Sequence, residues 1–124
     1  MSSVQYQQTI NFPVVCAGVG VHSGARARIV MKPAAAGSGI RFRRTDCTGV
    51  DNEIVARGDF VTEVQLGTTL TNEAGVSVAT VEHLLAACAG IGVDNLLIEI
   101  DGPEVPIMDG SSQPFVFLFE CAGV

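Results

Sequence analysis

Two periods run along this chain. Through most of its first two-thirds apolar residues alternate with polar ones; later they recur at spacings of three and four. Alternation puts successive side chains on opposite faces of a strand, whereas the longer spacing puts them on one face of a helix. Residues 9–16 are apolar and rich in β-branched side chains, which predicts a strand. The run Gly18-Val-Gly20-Val-His22-Ser-Gly24 follows, and its glycines mark a bend or hairpin. Over 25–31, Arg26 and Arg28 fall on one side and Ala27, Ile29 and Met31 on the other, the pattern of a half-buried strand. Residues 33–39 have the composition of a loop, 40–44 alternate again, and 54–57 and 61–70 are two further strand candidates, with Gly75 leading out.

The period then changes. Val78, Val81, Leu84, Leu85 and Cys88 share one helical face, and Gly90 and Gly92 end it. Residues 94–100 return to alternation with Leu96, Ile98 and Ile100 inward, until Asp101-Gly102-Pro103 breaks the strand. After a loop at 104–110, Ser111 or Ser112 is placed to cap a last helix. Pro114 sits in its first turn, the body runs over 115–121, and Gly123 stops it. Strands, helix, strand, helix in that order predict an α+β two-layer sandwich: one mostly antiparallel sheet with two helices on one face, forming a single domain over 1–124.

Neither helix has the polar face that a solvated surface helix shows. Opposite the sheet-facing side of the first lie His83, Ala86 and Ala87, and no charge follows Glu82. In the second, Phe115, Phe117, Leu118 and Phe119 surround the axis and only Glu120 is charged. One sheet covers one side of each helix, so a further layer is expected: another domain, another copy of the chain, or a ligand.

Composition narrows the classes. At 124 residues, 48% hydrophobic and 16% charged, the chain holds enough apolar material for a core. The first residues, MSSVQYQQ, are polar and uncharged, so no secretory signal is expected, and no stretch reaches the ~20 apolar residues of a membrane helix. The net charge is −6; all seven basic residues lie within 26–57, and ten of the thirteen acidic ones lie beyond. That balance argues against a nucleic-acid surface. Arg41, Arg43 and Arg44 could meet an anionic partner, although a solvated strand face is the simpler reading. Cys16, Cys47, Cys88 and Cys121 include no CxxC pair. Cys88 and Cys121, within apolar helical patterns, read as small buried hydrophobes, and the set suits a reducing, cytoplasmic location.

Candidate chemistry centres on Thr80-Val81-Glu82-His83, at the start of the first helix. Histidine is a common neutral metal ligand and glutamate a common base toward metal-bound water. A single Glu-His pair, taken alone, is better explained by a solvated helix start with an ordinary capping carboxylate. Four further motifs stand in register with it: Gly18-Val-Gly20-Val-His22-Ser-Gly24, Phe42-Arg-Arg-Thr-Asp46, Gly92-Val-Asp-Asn95 and Pro106-Ile-Met-Asp109-Gly-Ser111. In order and spacing, over nearly the whole chain, they resemble the UDP-3-O-acyl-N-acetylglucosamine deacetylases, the LpxC family of lipid A biosynthesis.

The resemblance implies a zinc-dependent amide hydrolase made of two similar domains whose helix layers pack face to face around the site, and this chain matches the first. It implies His83 as a zinc ligand and Glu82 as the general base. It places Leu66, Gly67 and Thr68 beside the metal and the UDP-acyl-glucosamine substrate, and His22 in the lining of the site. Asp109 matches a motif residue, with capping of the next helix as its simpler role. In the family, zinc would polarise the acetamide carbonyl and bring its bound water toward a pKa of ~7 while Glu82 takes the proton. The family's other zinc ligands, its second catalytic histidine, its oxyanion-stabilising threonine and its acyl-chain passage belong to the second domain and have no counterpart here. Zinc binding by this chain alone is therefore expected to be weak or nil, and turnover absent. Two readings stay open: half of a deacetylase, or a stand-alone module of the same lineage that dimerises or docks through its helix layer. A purely structural domain is a third.

Overall fold

The computed structural model describes residues 6–57, the backbone of 61–63, and 68–124. The alternation at 25–31 becomes strand β2 (Arg26–Pro33), in which Ala27, Ile29 and Met31 are buried and Arg26 and Arg28 exposed. With β1 (Val14–Val19), β3 (Ile40–Arg44), β4 (Glu53–Val55) and β8 (Leu96–Ile100) it builds a five-stranded sheet of order β1-β2-β8-β3-β4. The β1–β2, β2–β8 and β3–β4 pairs are antiparallel, whereas β3 and β8 run parallel with Phe42 opposite Ile98. Phe42, Ile54, Leu96, Ile98 and Ile100 extend the apolar face begun by β2.

The same face receives both helices, α1 (Glu82–Ile91) and α2 (Gln113–Ala122). Leu84, Ala87 and Cys88 of α1 and Phe115, Phe119 and Ala122 of α2 are buried, the one-sided stripe that helical periodicity produces. Gly92, at φ 87°, ends α1 in the left-handed turn glycine adopts without strain. Outward from the core lie Ala86, Ala89 and Gly90 on α1 and Phe117 on α2, which is 64% exposed. The helices thus present a second apolar side away from the sheet.

The opposite sheet face is charged and solvated. Lys32 pairs with Glu99 at 2.7 Å, Arg43 with Glu99 at 3.3 Å and with Glu53 at 3.2 Å, and Arg41 with Glu53 at 3.5 Å. The Arg41 and Arg43 guanidiniums are therefore engaged across β2, β8, β3 and β4. Arg44 is different: it grips Asp46 with two bonds of 2.8 and 2.7 Å and donates to the carbonyl of Ser77 at 2.7 Å.

Several expectations change. The sheet is not one but two: β5 (Val61–Glu63), β6 (Thr69–Thr71) and β7 (Ser77–Val78) form a separate antiparallel three-stranded sheet. Arg44 and Asn72, which donates to the carbonyls of Asp51 and Glu53 at 2.9 and 3.0 Å, tie it to the main one. Val78, which fits the helical period, belongs to β7, because the backbone turns at Thr80 before α1 begins. The first strand lies later than predicted, since 9–13 form a connecting segment anchored by the bond from the Asn11 N–H to the Gly123 carbonyl, 2.7 Å. All four cysteines are free, but only Cys88 is fully buried, and Cys121 is exposed on the outer side of α2 beside Glu120. No helix among the described residues is long and apolar enough to cross a membrane.

Candidate active site

Glu82 and His83 open α1, both half-buried. A carboxylate in the first turn meets unpaired backbone N–H groups and the positive end of the helix dipole, so Glu82 favours the helix start electrostatically. Its two oxygens are not equivalent. Oε2 accepts a hydrogen bond from the Thr68 N–H at 3.0 Å. Oε1 is buried and has no partner among the described residues. Leaving a buried polar atom unsatisfied costs on the order of 1–3 kcal/mol, and more when it is charged.

Thr68 is held to α1 from both sides, since its carbonyl also accepts the Val81 N–H at 3.2 Å. The structure therefore brings the Thr68 backbone to the Glu82 carboxylate, and His83 follows Glu82 in α1. Leu66 and Gly67 lie outside the described residues. The His22 side chain is exposed; its backbone N–H turns inward and contacts the carboxylate of Glu104 at 3.1 and 3.2 Å.

Glu104 is a residue that sequence reasoning left in a loop. It is 2% exposed. Besides His22 it accepts the Ser23 N–H at 2.8 Å and the Thr80 hydroxyl at 2.6 Å. Burial alone would push this carboxyl up, but the bonds from Thr80, Ser23 and His22 outweigh it and hold it below the usual range. Gly20 lies against it: a Cβ there would sit 2.1 Å from Oε1. Glu104 thus joins the glycine-rich turn to the residue two positions ahead of Glu82. The signal for it in the sequence was one acidic residue in the apolar run Pro103-Glu104-Val105-Pro106.

Asp109 braces the turn before α2 but does not itself cap the helix. Its Oδ1 accepts the N–H and the hydroxyl of Ser111 at 3.0 and 2.6 Å, and the Ser111 hydroxyl in turn accepts the Gln113 N–H at 3.3 Å at the start of α2. The Ser111 hydroxyl is the main reason the Asp109 carboxyl lies below its ordinary value.

A catalytic zinc needs three protein ligands and one open position. Among the described residues no group of three His, Cys, Asp or Glu side chains comes together to hold a metal. His83 offers one imidazole, a single donor of the three such a site needs. The residues present fit a share of a metal site and not a whole one.

A family model described as UDP-3-O-acyl N-acetylglycosamine deacetylase (LpxC) matches residues 7–124. The chain is 52% identical over 118 residues to the UDP-3-O-acyl-N-acetylglucosamine deacetylase of Phenylobacterium zucineum, covering 95% of this chain and 40% of that protein. It is 50% identical over 118 residues to the protein of that name from Idiomarina loihiensis, covering 95% and 38%. The corresponding protein of Shewanella frigidimarina is 46% identical over 119 residues, with 96% and 39% covered. The chain spans about two-fifths of the length of these relatives.

Proposed function

The chain belongs to the UDP-3-O-acyl N-acetylglycosamine deacetylase family, and we propose that it forms a single N-terminal domain supplying one half of a zinc-dependent amide-hydrolysing site. On this reading Glu82 is the general base and His83 one ligand of the zinc, with Thr68 and His22 beside the UDP-acyl-glucosamine substrate, and with Leu66 and Gly67 near them. The observation that carries it is the asymmetric Glu82 carboxylate: Oε2 is fixed by the Thr68 N–H at 3.0 Å while Oε1 is buried and unpartnered. A base needs a positioned carboxylate with a lone pair left free for a proton, and Oε1 is the oxygen that keeps one. Because the chain's own donors do not make up a zinc site, its residues are assigned no step through the metal; their part is to hold and orient the base and contribute one ligand.

The remaining donors come from a second domain laid over the helix layer. Exposed Phe117, with the small residues Ala86, Ala89 and Gly90 allowing close approach, supports a covering layer. A cytoplasmic setting agrees with the four free cysteines. The same exposed layer also favours a second reading, a module that pairs with another copy of itself. Mixing the chain with a separately produced second domain separates them. Zinc uptake and deacetylation that vanish with Glu82→Ala support the half-site. A tight homodimer with no recovered activity overturns it in favour of the module.

A further inference from the structure

We infer that Glu104 is a positioning residue of this site, holding the backbone at Thr80 in the conformation that aims Glu82 and His83. The inference rests on the reading of those two residues as the functional pair, and it concerns what places them.

Thr80 has φ 60°, in the left-handed region. For a β-branched residue this is an outlier costing on the order of 1–3 kcal/mol, tolerated only where the surroundings over-determine it. Here they do. On one side of Thr80, the Ala79 N–H donates to the Pro103 carbonyl at 2.8 Å and the Ala79 carbonyl accepts the Val105 N–H at 3.0 Å. On the other, the Val81 N–H donates to Thr68 at 3.2 Å. The Thr80 hydroxyl is clamped at 2.6 Å by Glu104, the residue between those two backbone partners of Ala79. The turn at Thr80 ends β7 and sets the direction in which α1 leaves, and Glu82 is the first residue of that helix.

The other ends of the Glu104 carboxylate are fixed by the His22 and Ser23 N–H groups, so the clamp is referenced to the glycine-rich turn and not to α1. Loss of the clamp lets Thr80 relax toward an ordinary φ, rotating the start of α1 and withdrawing Glu82 from Thr68. Glu104 touches neither Glu82 nor His83 in any described bond; it acts through the backbone. A buried carboxylate that only stabilised the fold would have no preferred effect on this helix start.

Amide exchange on the full chain distinguishes the two roles. The probe is the Thr68 N–H, whose acceptor is the Glu82 carboxylate, compared with the Ile98 N–H in the sheet core. In Glu104→Gln and in Thr80→Val the Thr68 amide should exchange about tenfold or more faster relative to Ile98, while Thr80→Ser, which keeps the hydroxyl, should match the parent. Equal acceleration at Thr68 and Ile98 overturns the inference, because it reports general destabilisation. So does the same loss in Thr80→Ser as in Thr80→Val. If Glu104→Gln does not fold, Thr80→Val carries the test. In the mixed two-domain assay Thr80→Val should lower kcat with KM unchanged. Turnover insensitive to Glu82→Ala, with Thr68 exchange still responding to Thr80→Val, would remove the functional reading and leave the positioning intact.

Discussion

Gly20→Ala adds one methyl to a turn, and the structure makes it costly. Gly20 is not among the glycines of positive φ, so alanine suits its backbone. The conflict is steric. The new Cβ would lie 2.1 Å from Glu104 Oε1, 2.7 Å from its Cδ and 2.6 Å from the Ser23 hydroxyl. To reach 3.0 Å the carboxylate oxygen must retreat by 0.9 Å (3.0 − 2.1). It cannot do so freely, because the His22 and Ser23 N–H groups hold it while the Thr80 hydroxyl holds the other oxygen of the same carboxylate. Loosening one bond to a charged acceptor costs about 1.5–3 kcal/mol. Residual overpacking adds about 1–3 kcal/mol. The reduced freedom of alanine in the unfolded chain returns about 0.4–1 kcal/mol. The net is a loss of about 3 kcal/mol, or roughly 10 °C in Tm for a chain of this size. Gly24→Ala is the control: Gly24 has φ +68° and nothing within 4 Å of an added Cβ, so only backbone strain applies, about 1 kcal/mol. Urea unfolding followed by circular dichroism measures both. A Gly20→Ala loss no larger than that of Gly24→Ala would refute the tight packing of Glu104 against the turn.

The two faces of α2 should behave oppositely. Phe119→Ala, at a fully buried site, should cost about 3–5 kcal/mol. Phe117→Ser should stay within about 0.5 kcal/mol in the isolated chain, yet lower the activity recovered with a second domain. Stability should also fall in acid. The Lys32 bond to Glu99 and the Arg44 bonds to Asp46 hold those carboxyls below their ordinary values, as the donors around Glu104 do there. A depressed folded pKa contributes stability that is present above the unfolded value, about 4.3, and lost as pH falls through the folded one. Unfolding free energy should therefore be level from neutral pH down to about 5 and decline below it, less steeply in Glu104→Gln, as pH-dependent urea titration would show. Among the thiols, exposed Cys121 should alkylate first; burial pushes Cys16 up to about 11 and Cys88 up to about 12, so both should resist until the chain unfolds, as mass mapping would reveal.

How much of this was legible beforehand depended on the range of the force involved. Alternation in β2, β3 and β8 was readable because it answers to a nearby constraint, one buried and one solvated face, and the burial of Ile29, Phe42 and Ile98 follows it. The stops at Gly92 and Gly123 were readable from local backbone preference. The parallel pairing of β3 with β8 was not, since it joins residues more than fifty positions apart through a shared core and not through a turn. Val78 misled because a spacing of three to Val81 fits a helix as well as two separate elements; the bridge between Ala79 and Glu104 decides between them. Cys121 misled for a related reason: apolar composition on every side of α2 leaves no mark of which side the sheet takes. Of the site, Glu82 and His83 stood out by residue type. Glu104 did not, because its role lies in three donors gathered from distant segments.

That difference bears on how such a site can be divided. The orientation of Glu82 rests on contacts inside this chain: Thr68 on one side, Thr80 and Glu104 behind. Metal ligation does not, since no group of three donor side chains comes together among the described residues. On the proposed reading, the base is therefore preorganised before any partner arrives, while the metal is gained only on assembly. Holding a bare carboxylate oxygen in a buried position costs stability continuously. A site built the other way, with a complete metal and a loose base, would bind zinc in the isolated chain but would have to order Glu82 at the moment of reaction. On the proposed reading, that division would place the entropic cost of orienting the base in the folding of one domain, so that docking of a second would have only the metal and substrate left to order. It follows that mutations at Thr80 and Glu104 should slow the assembled enzyme without weakening its zinc, whereas His83→Ala should weaken the zinc without disturbing Thr68.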